Sequence, residues 1–87
     1  YKIWQNYMKN LNEINTYIEL GCRIKYLRKL RKMSIETLAF ECEINKNYLC
    51  DIENGRRNPT LLVLCKIAKG LNISLEELFK GIGNSVN

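Results

Sequence analysis

Two short apolar patterns separated by a tight break occupy residues 34–54, and they constrain the fold more than any other feature. Apolar side chains recur at helical spacing before the break, at Leu38 and Ala39, and after it, at Leu49 and Ile52. Because Ala39 carries only a methyl group, a second helix can approach it closely. The spacing therefore predicts two helices that pack against each other across the break.

Capping residues predict where both helices begin and where the second one ends. Ser34 and Asn45 are typical N-cap residues, which places the helix starts near Ile35 and Lys46. Gly55 is a typical left-handed stop, and a basic loop ended by a proline follows it. This layout is a helix-turn-helix, the arrangement with which many proteins set a helix into the major groove of DNA.

The chain resembles the Cro and lambda-repressor-like family of DNA-binding domains, also called the XRE type. The pieces that carry the resemblance lie between Leu20 and Ile82 in the family's order and spacing: LGCRIKYLRKLRK, SIETLA, NYLCDIENGRRNPT and LCKIAKGLNISLEELF. The resemblance implies a compact all-α domain of five helices that regulates transcription by occupying an operator. In size the chain is similar to small phage repressors and to the controller proteins of restriction-modification systems.

Two residues depart from the family pattern. The family usually has glycine where this chain has Glu43, and a left-handed glutamate there costs roughly 1 kcal/mol. It usually has glutamine where this chain has Ile35, and that glutamine tends to touch the DNA backbone. The missing glutamine leaves an alternative open: a protein-interaction module or an antitoxin that uses this fold mainly to bind a protein.

The resemblance places the first residues of the second helix against base edges. Lys46 can donate to guanine, and Asn47 can pair bidentately with adenine, each contact contributing roughly 1–3 kcal/mol of discrimination. Asp51 can accept from cytosine N4, although it can equally repel phosphate or cap a neighbour. The predicted base-reading residues are Lys46, Asn47, Cys50 and Asp51.

Positive charge is concentrated beside this unit rather than on it. Residues 20–32 carry six cationic side chains and no acid, whereas residues 33–54 carry five acids and only one cation, within a net charge of +5. Attraction to phosphate must therefore come mostly from the flanks. The predicted phosphate contacts are Lys32, Asn45, Tyr48, Asn54, Arg56 and Arg57; for Lys32, as for Lys25 and Lys29, a solvated helix face is the alternative.

One pair of charges has a structural interpretation instead. In the family, an arginine at the position of Arg28 pairs with the glutamate at the position of Glu53. The resemblance therefore implies a structural salt bridge between Arg28 and Glu53.

Apolar spacing after residue 60 predicts two more helices. Leu61, Leu64, Ile67, Ala68 and Leu71 mark the fourth helix, and Cys65 falls in the same apolar run and is expected in the core. Ser74 and Glu77 form a capping box for the fifth helix.

The short last helix carries more apolar surface than one small domain needs. The predicted dimer interface consists of Leu75, Leu78, Phe79 and Ile82. Two copies on half-sites about one helical turn apart, ~34–36 Å, bind far more tightly than one. We therefore expect a homodimer on a roughly palindromic operator.

Residues 1–19 lie outside the resemblance and form an N-terminal extension to the domain at 20–82, with a tail at 83–87. One apolar helical stripe runs through the extension, at Trp4, Tyr7, Leu11, Ile14 and Ile18. It can cover the domain, pair with its copy in a dimer, or be upstream sequence; we expect it to pack on its own domain. Thr16 and Glu19 resemble a capping box that would separate the extension from the first helix of the domain.

Composition argues against several other functions. The chain has no histidine and no Cys-x-x-Cys among its four cysteines, so we expect no metal site and no cofactor. No nucleophile motif or phosphate loop is present, which argues against an enzyme, and no small-molecule ligand is evident. No apolar run approaches the ~20 residues of a membrane span. We expect a single domain that acts in the cytoplasm, without a separate ligand-sensing domain.

Overall fold

Five helices make up the computed structural model, which describes the backbone of residues 2–83 and the side chains of residues 15–83. The helices are α1 (Lys2–Leu30), α2 (Ile35–Cys42), α3 (Lys46–Glu53), α4 (Leu61–Gly70) and α5 (Leu75–Leu78). No strand occurs in the part of the chain that the structure describes. The predicted all-α class and the five helices are confirmed.

The first helix is longer than predicted. α1 runs without interruption through Thr16 and Glu19, so the break expected at their capping box is wrong. Nothing between residues 12 and 20 forces a break, because this stretch contains no glycine or proline. The extension therefore continues the helix, and the packing of its apolar stripe on the domain stays a prediction. The side chains from Trp4 to Ile14 and the tail after residue 83 lie outside the described residues.

A single apolar core lies where the helices meet. α2 packs against both α3 and α4, while α1 packs against α3 and α5 against α4. The buried apolar side chains are Leu20, Ile24, Leu27, Leu38, Ala39, Cys42, Leu49, Ile52, Leu64, Ile67, Ala68, Leu71 and Leu78. Ala39 is one of the buried side chains of α2, which packs against α3.

The outer face of α4 corrects two predictions. Leu61 is 65% exposed and Cys65 is also exposed, although both were expected to be part of the apolar stripe of this helix. The core contacts Leu64 and Ile67, whereas residues 61 and 65 share the opposite row, one helical turn apart. Apolar residues cover both sides of α4, and only one side faces the core.

Ser74 caps the N-terminus of α5, and its hydroxyl accepts a hydrogen bond from the Glu77 backbone N–H at 3.0 Å. Leu78 is completely buried in the chain's own core, so it is not available to a partner, and its assignment to the dimer interface is wrong. The other three residues of that predicted interface, Leu75, Phe79 and Ile82, are only partly buried. Their role in a dimer stays a prediction.

None of the described helices is both long enough and apolar enough to span a membrane.

Candidate nucleic-acid interface

α3 is the element around which the candidate interface is built, and its N-terminus is capped as predicted. The side-chain oxygen of Asn45 accepts hydrogen bonds from the backbone N–H groups of Asn47, at 2.8 Å, and Tyr48, at 3.2 Å. These bonds satisfy two donors that an eight-residue helix would otherwise leave open. Leu49 and Ile52 anchor the opposite side of α3 in the core.

The turn before α3 fixes the angle between the two helices. Glu43 has φ 57° and ψ 43°, the left-handed conformation expected from the family pattern. This conformation lets the Ile44 N–H donate to the Ala39 carbonyl at 3.0 Å. At the N-terminus of α2, the Ser34 hydroxyl accepts from the Thr37 N–H at 3.1 Å, which confirms that N-cap as well.

An enclosed ion pair ties α1 to the end of α3. Arg28 Nε lies 2.7 Å from Glu53 Oε2, and Arg28 Nη2 lies 3.0 Å from Glu53 Oε1, so the predicted pair is bidentate. A third guanidinium nitrogen donates to the Met33 carbonyl at 2.9 Å. The hydrogen bond to Glu53 raises the pKa of the Arg28 guanidinium above its ordinary value, so this cation keeps its charge.

Gly21 in α1 allows this helix to lie close to the end of α3, where the ion pair joins the two helices. A Cβ built on Gly21 would overlap the backbone carbonyls of Ile52 and Glu53. Gly21 was not among the residues predicted from the sequence. Its signal was a glycine in the interior of a helix, which costs stability unless a neighbour needs the space.

The outer face of α3 presents the predicted base-reading side chains. Lys46 and Asn47 are exposed, and Cys50 and Asp51 are half-buried on the same helix. Tyr48 is also half-buried and packs partly against the core. The Asn54 side-chain amide donates to the Cys50 carbonyl at 2.8 Å and closes the end of the helix.

Lys46 is engaged with an acid of α2. Its Nζ lies 3.2 Å from Glu36 Oε2, and both side chains are exposed. The pKa of the Glu36 carboxyl is lowered. The largest cause is a hydrogen bond with its own backbone, and the hydrogen bond and the charge of Lys46 come next. Glu36 was not among the site residues predicted from the sequence.

The arginine loop follows α3 immediately. Gly55 has φ 74°, which confirms the predicted left-handed stop, and it turns the chain into Arg56 and Arg57. Both guanidinium groups reach back to Asp51: Arg56 Nη1 lies 3.4 Å from Oδ1, and Arg57 Nε lies 3.4 Å from Oδ2. The structure thus brings a predicted base-reading residue together with two predicted phosphate contacts.

Lys32 lies in the turn between α1 and α2, exposed and with φ 55°. It is two residues before the Ser34 N-cap, and its backbone N–H donates to the Lys29 carbonyl at 2.9 Å. Its assignment to phosphate stays a prediction.

The same surface offers little for metal chemistry. No group of three histidine, cysteine, aspartate or glutamate side chains within residues 15–83 is arranged to hold a metal ion. What α3 and its flanks present is a row of hydrogen-bonding groups and cations, which can bind a polyanion whose edges carry donors and acceptors.

Known proteins are similar to this chain in sequence and in fold. The profile of the helix-turn-helix family HTH_3 matches residues 24–78, which is more than half of the chain. The control protein C.MunI of a Mycoplasma species is 41% identical over 73 residues, which cover 83% of this chain and 96% of that protein. The control protein C.BamHI of Bacillus amyloliquefaciens is 38% identical over 73 residues, which cover 80% of this chain and 90% of that protein.

A solved structure agrees with these relatives. The restriction-modification controller protein C.AhdI of Aeromonas hydrophila superimposes with a TM-score of 0.71 at 36% sequence identity, over 72% of this chain and 96% of that one. The likeness spans nearly the whole of each controller protein, so it concerns their complete fold and not a shared fragment.

Proposed function

The chain belongs to the HTH_3 helix-turn-helix family of DNA-binding transcriptional regulators, and on that premise we propose that it binds a roughly palindromic operator as a homodimer of the controller type. This family is not one of enzymes, and we assign the chain no reaction and no cofactor. We place its action in the cytoplasm.

The observation that carries the proposal is the way α3 is held. Its N-terminus is capped by Asn45, its inner side is anchored by Leu49 and Ile52, and Lys46 and Asn47 remain exposed at its first turn. A helix fixed on one side and polar on the other fits the major groove with its N-terminal residues against base edges. Lys46 suits guanine and Asn47 suits adenine.

Phosphate contacts are assigned to the groups around that helix. Arg56 and Arg57 lie exposed directly after α3, Tyr48 and Asn54 lie at its flanks, and Lys32 lies before α2. Asn45 contributes its cap and the positive end of the helix dipole, which favours an anion nearby. Cys50 is the weakest member of the base-reading set, because its thiol is only a weak donor.

The dimer face is assigned to Leu75, Phe79 and Ile82. These apolar side chains remain partly exposed after the core has formed. A single copy reading a few base pairs binds weakly, and pairing two copies supplies the missing affinity.

The test is selection of binding sites from a randomised duplex pool, followed by titration of the winner at several salt concentrations. We expect a two-fold symmetric site and a steep salt slope. In the same assay, Lys46→Ala and Asn47→Ala relax the preference at one position each, by roughly 1–3 kcal/mol. Arg56→Ala instead weakens operator binding without changing which base is preferred at any position, and it lowers the salt slope of that binding by about one.

Two results would contradict the operator proposal or the assigned reading face. A pool without enrichment, together with weak, sequence-blind binding, rejects the operator proposal and favours the interaction-module or antitoxin alternative, for which a protein partner is then sought. If Lys46→Ala leaves every base preference unchanged, the assigned reading face is wrong.

A further inference from the structure

Asp51 contacts both arginines of the loop that follows α3, and this arrangement points to more than a structural pair. We propose that Asp51 determines specificity by exchange: it holds Arg56 and Arg57 away from phosphate until a cytosine amino group at the operator takes their place. The inference rests on the proposed function, since it concerns how the same surface tells operator from other DNA.

The geometry makes Asp51 a shared acceptor. One carboxylate oxygen lies 3.4 Å from Arg56 Nη1 and the other lies 3.4 Å from Arg57 Nε, so both oxygens are engaged by the loop. The Arg56 backbone N–H also donates to the Asp51 carbonyl at 2.9 Å, which keeps the loop short and close to α3. Only a small movement is therefore needed for either arginine to leave Asp51 and contact a phosphate.

Exposure makes the exchange easy. The Asp51 side chain is 30% exposed, whereas those of Arg56 and Arg57 are 67% and 58% exposed. Ion pairs in contact with water are weak, and their members readily form contacts with other partners. A pair buried like that of Arg28 and Glu53 could not serve this purpose.

A carboxylate on a DNA-binding face also lowers the affinity for DNA, by an amount that depends on the DNA sequence. When the arginines move to phosphates, Asp51 is left as an unpaired anion beside a polyanion. At a site that offers cytosine N4, the carboxylate accepts a hydrogen bond from the base and the loss is compensated. At other sites this loss is not compensated, so binding through phosphate contacts alone is weaker.

The experiment compares Asp51→Asn, Asp51→Ala and Glu41→Gln with the wild type, each titrated against the selected operator and against a scrambled duplex of equal length. Glu41→Gln is the matched control: Glu41 is an exposed acid of α2, its removal changes the net charge as Asp51→Asn does, and it forms no ion pair within residues 15–83. Thermal unfolding followed by circular dichroism shows that the variants are folded.

We expect Asp51→Asn to raise affinity for the scrambled duplex roughly five- to tenfold and to steepen its salt slope by about 0.9 for each arginine released to a phosphate. Operator affinity changes less, because asparagine keeps an oxygen that can accept from cytosine. Asp51→Ala raises scrambled-duplex affinity in the same way, and sites selected with it lose the requirement for cytosine at one position of each half-site. The effect of Asp51→Asn disappears when Arg56 and Arg57 are both replaced by alanine.

The inference is overturned if Asp51→Asn behaves like Glu41→Gln, with equal changes for operator and scrambled duplex. It is also overturned if its effect survives the double arginine replacement. Both results leave the proposed function intact, because that proposal fails only if the wild-type chain selects no site.

Discussion

Among single residues, the pair of Arg28 and Glu53 has the clearest effect on stability. Their side chains are only 11% and 4% exposed, so removing one charge leaves the other enclosed without its counterion. We expect Glu53→Gln to lower the free energy of unfolding by about 3 kcal/mol or more. Chemical denaturation in urea measures this change.

The control for that prediction is the more exposed pair of Arg23 and Glu77, which are 18% and 48% exposed. Glu77→Gln should cost less than about 1 kcal/mol, because water already competes for that pair. Equal losses in the two variants would contradict the view that enclosure gives the Arg28 pair its importance.

Sequence patterns predicted the residues whose roles are local or shared by the family. The N-caps Ser34 and Asn45 follow from hydrogen bonds within one helical turn, and the pair of Arg28 and Glu53 follows from resemblance. Contacts between exposed charges were missed, because spacing does not tell which of several acids a flexible cation reaches. Lys46 with Glu36 and the arginine loop with Asp51 are of this second kind.

At the scale of elements, the turn between α2 and α3 carries a strain that a single substitution relieves. Glu43 has φ 57°, a conformation that glycine adopts without steric cost. We expect Glu43→Gly to stabilise the fold by at most roughly 0.6 kcal/mol, because the greater entropy of glycine in the unfolded chain, roughly 0.4–1 kcal/mol, offsets most of the roughly 1 kcal/mol of strain that is relieved. The midpoint of urea denaturation should rise accordingly.

Glu41→Gly serves as the opposite case, because residue 41 lies inside α2, where glycine costs about 1 kcal/mol. If both glycine variants were destabilised alike, the turn would not be strained, and the departure from the family pattern at residue 43 would have no cost.

Helix boundaries were predictable wherever a cap or a left-handed stop marks them, as at both ends of α3. The start of α1 was not, because a Thr-x-x-Glu pattern is compatible with the interior of a helix as well as with its beginning. The stripe on α4 failed for a related reason: apolar residues on two sides of one helix give no sign of which side faces the core, and Leu61 and Leu62 are exposed.

For the whole molecule, we expect self-association through the region around α5. Ile82→Glu places a charge on the proposed dimer face and should raise the dimer dissociation constant at least tenfold, which corresponds to about 1.4 kcal/mol. Sedimentation equilibrium measures the constant, and the operator titration should then show weaker binding.

Leu62→Glu is the matched control, since Leu62 is 67% exposed on α4 and has no place in the proposed face. That variant should remain as dimeric as the wild type. A dimer that survives Ile82→Glu but dissociates with Leu62→Glu would move the interface to the outer side of α4.

One turn of α1 touches both ends of this arrangement. Gly21 lies against the carbonyls at the end of α3, and two residues later Arg23 Nη2 donates to the Glu77 carbonyl of α5 at 2.8 Å. These two residues join α3, the proposed DNA-reading helix, to α5, the helix assigned to the proposed dimer face. In a homodimer of the proposed kind, the distance from α3 to the pairing face is held inside each protomer, and this distance contributes to the spacing of half-sites that the dimer accepts.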